Sequence, residues 1–227
     1  MSIFNSLNNI LPFLGAVLGM GIGYKIRDKS SNGLKLILSF SGAFLLGVTI
    51  FHLMPEVFSK VNNKPGLWIV SGIILQILLE YLSQGTEHGH SHIKSNEYLP
   101  WVLFLSLCLH AFIEGLPLGH ESSLVWGIFI HKIPIGMVLF YMIWDTKSSK
   151  ILKITALFIF AIMSPFGSIT LEYNDALQNY QTQITAIVIG MLLHIATTIL
   201  FESNQGHAFN IRKLFSILLA FLISYFI

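Results

Sequence analysis

Residues 99–118 read LPWVLFLSLCLHAFIEGLPL, an apolar stretch that contains one imidazole, His110, and one carboxylate, Glu114. A bilayer core about 30 Å thick is crossed by a helix of about 20 apolar residues, so this stretch has the length of one membrane span. The rest of the chain has a similar composition, since 54% of its 227 residues are apolar and 11% are charged. Soluble domains carry about 25% charged residues. The composition therefore excludes a soluble fold.

Further apolar stretches of similar length flank this one. They lie at residues 9–24, 34–54, 67–82, 124–144, 151–171, 184–201 and 211–227. Eight spans of about 20 residues occupy about 160 positions, which leaves short loops and no room for a separate soluble domain. We therefore predict an all-α, polytopic membrane protein with eight transmembrane helices, in which residues 1–227 form a single transmembrane domain.

The distribution of Lys and Arg predicts the orientation, because loops on the cytoplasmic side are enriched in both residues. With the N-terminus outside, ten of the 13 basic residues fall in the inner connections, while Lys60 and Lys64 fall outside and Lys132 lies within the fifth span. This bias predicts that both termini are outside and that the loop at 84–98 is cytoplasmic. Because the chain is short and has no ectodomain, we expect a bacterial inner (plasma) membrane.

Two adjacent spans carry ionisable side chains, each of which costs roughly 2.5–3.5 kcal/mol to insert. His110 and Glu114 are four residues apart and share one face of the fourth span. In the fifth span His131 precedes Pro134, which frees a backbone carbonyl. The connection between the spans is short, so the two imidazoles lie at similar depth. We expect His110, Glu114 and His131 to converge on one divalent cation. Taken alone, the first two could instead be a hydrogen-bonded pair that joins helices.

These motifs resemble a known transporter family. HxxxEG at 110–115 and HKxP at 131–134 are similar to the paired signature of the fourth and fifth helices of the ZIP (Zrt-, Irt-like) divalent metal transporters. HLMPE at 52–56 resembles the end of that family's second helix, and SPFG at 164–167 resembles its sixth. The resemblance implies eight spans, outer termini, a His-rich inner loop and an inverted-repeat bundle.

Three positions depart from the family pattern. Many members hold two metal ions, with Asn, an acidic residue and Glu or His where this chain has Ala111, Lys132 and Ile135. We therefore predict a single-metal site, completed by water, a backbone carbonyl or another span. Lys132 is rotated about 100° from His131 and need not touch the metal. It could pair with Glu114, extend through a water-filled cavity, or act as an electrostatic modulator whose charge weakens the site.

Weaker candidate ligands lie toward both membrane surfaces. At the outer end of span two, His52 and Glu56 could collect a cation at the mouth, or could cap the helix. In span seven, His194 and Glu202 could form an exit on the inner side, although Glu202 could equally end the helix in water.

The loop at 84–98 carries alternating histidines and no apolar periodicity. Flexible His tracts bind zinc, nickel and copper with modest affinity. His88, His90 and His92 are therefore a candidate cytoplasmic metal loop.

The sequence predicts transport of a divalent metal ion toward the cytoplasm. Zinc follows from the family resemblance, and iron or manganese would suit the same ligands. The ion is the substrate, and no cofactor, nucleotide or nucleic acid is expected, because the chain has neither a phosphate-binding loop nor a long basic run. The lipid bilayer is an expected partner, and a homodimer is a possible assembly. The alternatives are a membrane-embedded zinc-dependent hydrolase that uses His110, His131 and His194, or a passive structural or receptor-like membrane protein.

Overall fold

The computed structural model describes residues 3–26, 32–60, 64–83, 85, 98–202 and 211–227. Within these ranges the regular elements are all helical. The α-helices are α1 (Ile3–Lys25), α2 (Asn32–Val48), α3 (Met54–Lys60), α4 (Pro65–Ser83), α5 (Trp101–Gly115), α6 (Ser122–Trp144), α7 (Lys150–Glu172), α8 (Asp175–Gln178), α9 (Gln181–Glu202) and α10 (Ile211–Tyr225). A π-helical turn, Thr49–Leu53, joins α2 to α3, and a 3-10 turn, Leu116–Gly119, follows α5.

Six helical stretches in the described ranges are long and apolar enough to cross a bilayer. They are Gly33–Lys60, Pro65–Ser83, Trp101–Gly119, Ser122–Trp144, Lys150–Glu172 and Gln181–Phe201. These stretches correspond to the second to seventh predicted spans, and α1 and α10 are helical where the first and eighth were expected. The all-α, polytopic membrane fold is thus confirmed, while the count of eight spans and the outer position of both termini remain predictions.

The second span is longer than the sequence predicted. We expected it to end at Met54, but the helical stretch continues to Lys60 through the π-helical turn. Pro55 has no N–H, and its ring would collide with the carbonyl of the residue four positions earlier in a regular α-helix. The wider turn directly before Pro55 accommodates the proline without ending the span.

Four pairs of helices make the most extensive contacts: α1 with α6, α5 with α7, α4 with α9, and α2 with α10. The helices can be matched one to one: α1 with α7, α2 with α9, α4 with α10, and α5 with α6. This matching maps each contacting pair onto another of the four pairs. The α1–α6 pair then corresponds to α7–α5, and α4–α9 corresponds to α10–α2. Such correspondence is expected of two halves related by an inverted repeat.

Helix α4 illustrates how the bundle separates lipid-facing and inward-facing residues. Leu67, Ile74 and Leu78 are more than half exposed, whereas Gly72 and Gln76 are buried. Large aliphatic side chains suit contact with acyl chains, and an amide in the membrane needs a protein partner. The burial pattern therefore turns the one amide of this helix toward the interior of the bundle.

Candidate metal centre

Two neighbouring helices bring together the three ligands that the sequence predicted. His110 and Glu114 lie on the last two turns of α5, and His131 lies in α6. One donor atom from each side chain lies within 4.8 Å of the others. All three side chains are buried, at 3%, 0% and 1% exposure respectively. Two imidazoles and one carboxylate are ligands that zinc and other divalent transition metals accept.

The orientation of His110 is fixed by a residue of α4. The side-chain oxygen of Gln76 lies 3.0 Å from His110 Nδ1 and accepts its proton. Nε2 of the same ring lies 3.3 Å from Glu114 Oε2. A hydrogen bond to the ring nitrogen that does not face the metal selects the tautomer of a metal-ligating histidine. Gln76 therefore leaves the Nε2 lone pair available on the side of the ring that faces Glu114.

The two oxygens of Glu114 have different surroundings. Oε1 forms an ion pair with Lys132 and lies 3.3 Å from the hydroxyl of Ser164. Oε2 is buried and makes no hydrogen bond. A buried carboxylate oxygen without such a partner is unfavourable unless another group compensates it. A cation bound between Glu114 Oε2 and His110 Nε2 would provide that compensation.

Donor spacing allows a direct test of whether a metal ion fits. Zinc bound at about 2.0–2.1 Å with tetrahedral angles separates neighbouring donor atoms by about 3.3–3.4 Å. The 3.3 Å between His110 Nε2 and Glu114 Oε2 matches that separation. His131 supplies the third donor from α6. The residues present therefore offer three donors for one ion, all within 4.8 Å of one another, and water or another donor would complete a tetrahedral shell.

Close packing of α5 against α7 holds this carboxylate in place. A side chain at Gly115 would overlap the carbonyl of Ser164, and one at Gly167 would overlap the carbonyl of Phe112. Ser164 donates its hydroxyl proton to the carbonyl of Ala111 at 2.9 Å. The SPFG segment at 164–167 thus supports the site from α7, a role that the sequence did not reveal.

His131 contacts α2 as well as its own helix. The hydroxyl of Ser41 lies 3.4 Å from His131 Nδ1, and both side chains are buried. Pro134, three residues later, leaves the backbone carbonyl at residue 130 without its usual helical donor. Support for the two imidazoles therefore comes from α2 and α4, outside the ligand-bearing helices.

The side chain of Lys132 is buried beside Glu114. It is 2% exposed, pairs with Glu114 Oε1, and places Nζ 4.5 Å from the centre of the Phe160 ring. Of the alternatives that the sequence left open for Lys132, the ion pair with Glu114 is the one seen in the structure, and a weakening effect of its charge on the site stays a prediction. A fixed positive charge thus lies beside the candidate site.

His52 and Glu56 have separate partners near the C-terminal end of the second span. His52 Nε2 donates to the backbone carbonyl of Ser224 at 2.7 Å, while Glu56 pairs with Lys60 and is hydrogen-bonded to Glu121. The π-helical turn lies between α2 and α3 and alters the regular four-residue stacking. The two side chains thus have different partners in the structure, and a common cation site formed by them stays a prediction.

Glu121 lies in the connection between α5 and α6, outside the spans, and is 7% exposed. Burial and the neighbouring carboxyl of Glu56 raise the pKa of Glu121 to about 8. Sequence analysis indicated no more than a peripheral contact for this loop residue, because its burial beside Glu56 depends on tertiary packing.

His194 has an unexpected partner on α4. Its Nε2 lies 2.5 Å from Oε2 of Glu80. We expected Glu202 to form an exit together with His194, but the side chain of Glu202 lies outside the described part of the chain. Glu80 could have been noticed, since Gln76 and Glu80 are four residues apart in the third span. The candidate metal loop with His88, His90 and His92 also lies outside the described residues.

Comparisons with known proteins agree with this geometry. The chain is 34% identical to protein zntD of Dictyostelium discoideum over 105 residues, which cover 38% of this chain and 15% of that protein. It is 30% identical over 114 residues to the zinc transporter ZIP13 homolog of Drosophila melanogaster, covering 46% of this chain and 31% of the relative. With zinc transporter ZIP13 of Pongo abelii it shares 25% identity over 158 residues, covering 59% and 46%.

The matched region covers less than half the length of each of these relatives. All three are eukaryotic, so they give no support to the bacterial membrane that we expected. Two of them are named zinc transporters, which agrees with a transporter and not with an enzyme. The model of the family described as ZIP zinc transporter matches residues 81–227, well over half of the chain. The protein is thus a multi-pass membrane protein that belongs to the ZIP zinc transporter family.

Proposed function

We propose that this protein carries a divalent transition-metal ion, zinc in the first instance, across the membrane by way of His110, Glu114 and His131. The observation that carries the proposal is the convergence of three buried donors from two helices around a carboxylate oxygen that has no hydrogen-bond partner. Zinc is favoured because two of the relatives are named zinc transporters. Iron and manganese accept the same ligand types and are the alternative cargoes.

We propose that one ion is bound at a time. Lys132 pairs with Oε1 of Glu114, and its ammonium group would repel a second cation near that oxygen. Ala111 and Ile135 offer no donor side chains. Glu114 therefore has one oxygen, Oε2, available to the transported ion.

The proposed direction is toward the cytoplasm. It rests on the bias of Lys and Arg toward one set of connections, which favours an inner position for the loop at 84–98. In this orientation His88, His90 and His92 would meet the ion after it leaves the membrane. A homodimer remains a prediction.

Zinc uptake into proteoliposomes that enclose a fluorescent zinc indicator tests the function. We expect uptake by the wild type and its loss in His110→Ala. A matched control is Ser106→Ala. Ser106 is buried on the same helix, and its hydroxyl donates a hydrogen bond only to the backbone carbonyl of Leu103 in that helix. Equal uptake by His110→Ala and Ser106→Ala would contradict the proposal. Hydrolysis of lipid or peptide without zinc flux would favour the hydrolase alternative.

Calorimetric titration tests the number of ions. The loop histidines would add binding of their own, so the titration uses a variant in which His88, His90 and His92 are replaced by Ser. We expect one ion per chain and its loss in Glu114→Gln. Two tight ions per chain in the loop variant would contradict single-metal binding. Competition with Fe²⁺ and Mn²⁺ in the same titration ranks the three cargoes.

A further inference from the structure

Phe160 of α7 lies against the ammonium group of Lys132. The centre of its ring is 4.5 Å from Nζ, within the distance of about 6 Å over which the electron-rich face of an aromatic ring attracts a cation. Phe160 is 1% exposed and Lys132 is 2% exposed, so water does little to weaken this attraction. The ring is therefore a second partner for a charge that also pairs with Glu114.

The side chain of Lys132 is confined at its start, and its charged end lies between two partners. A Cβ at Gly15 of α1 would come within 3.2 Å of Cβ of Lys132, so close packing of α1 against α6 restricts the start of the side chain. At the other end, the ammonium group reaches Oε1 of Glu114 on α5 and the ring of Phe160 on α7. These are the ion-pair and ring contacts that the described residues provide for it. A loss of attraction to one partner therefore has to be compensated by the other.

Binding of a metal ion would make the carboxylate and the ring unequal partners for Lys132. A cation held by Glu114 Oε2 and the two imidazoles would share the carboxylate with the ammonium group at Oε1. The two positive charges repel each other, and the carboxylate attracts the ammonium group less once the metal ion compensates it. A buried ammonium group that loses its partner is costly. The face of the Phe160 ring is already within contact distance and can stabilise the charge.

We propose that Phe160 is a positioning residue that stabilises the charge of Lys132 while the transported ion occupies Glu114, and that it thereby sets the zinc affinity of the centre. The inference rests on the proposed function, because the ion is the one proposed to bind there. The ring lowers the free-energy cost of weakening the ion pair between Lys132 and Glu114. With a less attractive ring, the ammonium group depends more on the carboxylate and competes more strongly with zinc. Phe160 thus acts through Lys132 and supplies no ligand atom.

Fluorinated phenylalanines at position 160 test this role with little change in the shape of the core. Each fluorine withdraws electron density from the ring face and weakens its attraction for a cation, while the ring stays apolar and nearly the same size. Zinc is titrated by calorimetry into the protein whose loop histidines are replaced by Ser, with mono-, di- or trifluorophenylalanine at position 160. We expect the dissociation constant to rise with each fluorine, by about tenfold for the trifluorinated ring. A dissociation constant that is the same across the series overturns the inference.

Two controls assign the effect to the charge of Lys132. Phe104 is 2% exposed in the same apolar cluster as Phe160 and packs its ring against Trp101, so fluorination there should leave zinc affinity unchanged. In Lys132→Met the ammonium group is absent, so fluorination at position 160 should no longer alter zinc affinity. An equal loss of affinity with and without Lys132, or the same loss from fluorination at Phe104, would mean that fluorine acts through packing and would overturn the inference.

Zinc uptake separates this inference from the proposed function. The protein with the trifluorinated ring should need about tenfold more zinc for half-maximal uptake, without a fall in the maximal rate, because its three metal ligands are intact. Absence of zinc binding and uptake in the wild type would refute the proposed function. Zinc binding and uptake that match the wild type in every protein fluorinated at position 160 would refute this inference alone.

Discussion

Gln76 Oε1 lies 3.0 Å from His110 Nδ1, so a residue of α4 determines which nitrogen of His110 faces the candidate metal position. Loss of the hydrogen-bond partner of a metal-bound histidine lowers metal affinity or activity about 10- to 100-fold. We therefore expect Gln76→Leu to weaken zinc binding by about that factor, because the ring loses its preferred tautomer. Calorimetry measures the change.

The conservative variant Gln76→Glu keeps an acceptor at the same position and should restore most of the affinity. A merely structural role for Gln76 would be served equally well by Leu, which has a similar size. Wild-type affinity in Gln76→Leu would therefore show that His110 needs no partner on α4.

If the transported ion binds Glu114, as proposed, Lys132 competes with it electrostatically for the same carboxylate. In Lys132→Met the carboxylate loses its internal counter-ion, so we expect tighter zinc binding and slower zinc release. Without metal the unpaired buried charge should destabilise the protein by about 3–5 kcal/mol. Zinc should then raise the melting temperature more in this variant than in the wild type, because the ion stabilises only the folded state. Unchanged affinity and transport rate would contradict this role.

Much of the centre could be predicted from sequence because its ligands obey local rules. The four-residue spacing of His110 and Glu114 and the short connection to the next span were sufficient to bring His131 to them. The membrane fold followed from composition in the same way. Lys132 was harder to place, because a long side chain can reverse the direction suggested by its helical position.

Contacts between distant spans could not be predicted in this way. Gln76 is 34 positions from His110, and Glu80 is 114 positions from His194, so no local pattern joins either pair. Their meeting depends on which helices pack together. His52 and Glu56 also have different partners, and the π-helical turn that contains His52 departs from the regular α-helix that the four-residue rule assumes.

Close packing at Gly115 should be sensitive to a single methyl group. In Gly115→Ala the new Cβ would overlap the Ser164 carbonyl, so α5 must move away from α7. Overpacking of this kind typically costs about 1–3 kcal/mol. We also expect weaker zinc binding, because Glu114 is the adjacent residue. Gly21→Ala is the matched control, since no atom lies within 4 Å of a Cβ there. Equal melting temperatures for the two variants would contradict the packing argument.

Glu121 should make stability depend on pH in the loop between α5 and α6. Burial and the neighbouring Glu56 raise its pKa from 4.5 to about 8 in the folded protein. Below the pKa of the unfolded chain, the carboxyl of Glu121 is protonated in both the folded and the unfolded protein. Between the two pKa values it is protonated only in the folded protein. The free energy of unfolding should therefore fall as pH rises across this window and level off above it. The amide in Glu121→Gln does not titrate in this pH range. The difference in melting temperature between wild type and variant therefore isolates the contribution of Glu121 from those of other titrating groups. We expect the wild type to lose stability relative to Glu121→Gln as pH rises, and Glu56→Gln to reduce that loss, whereas parallel profiles would mean that Glu121 is charged in the folded protein.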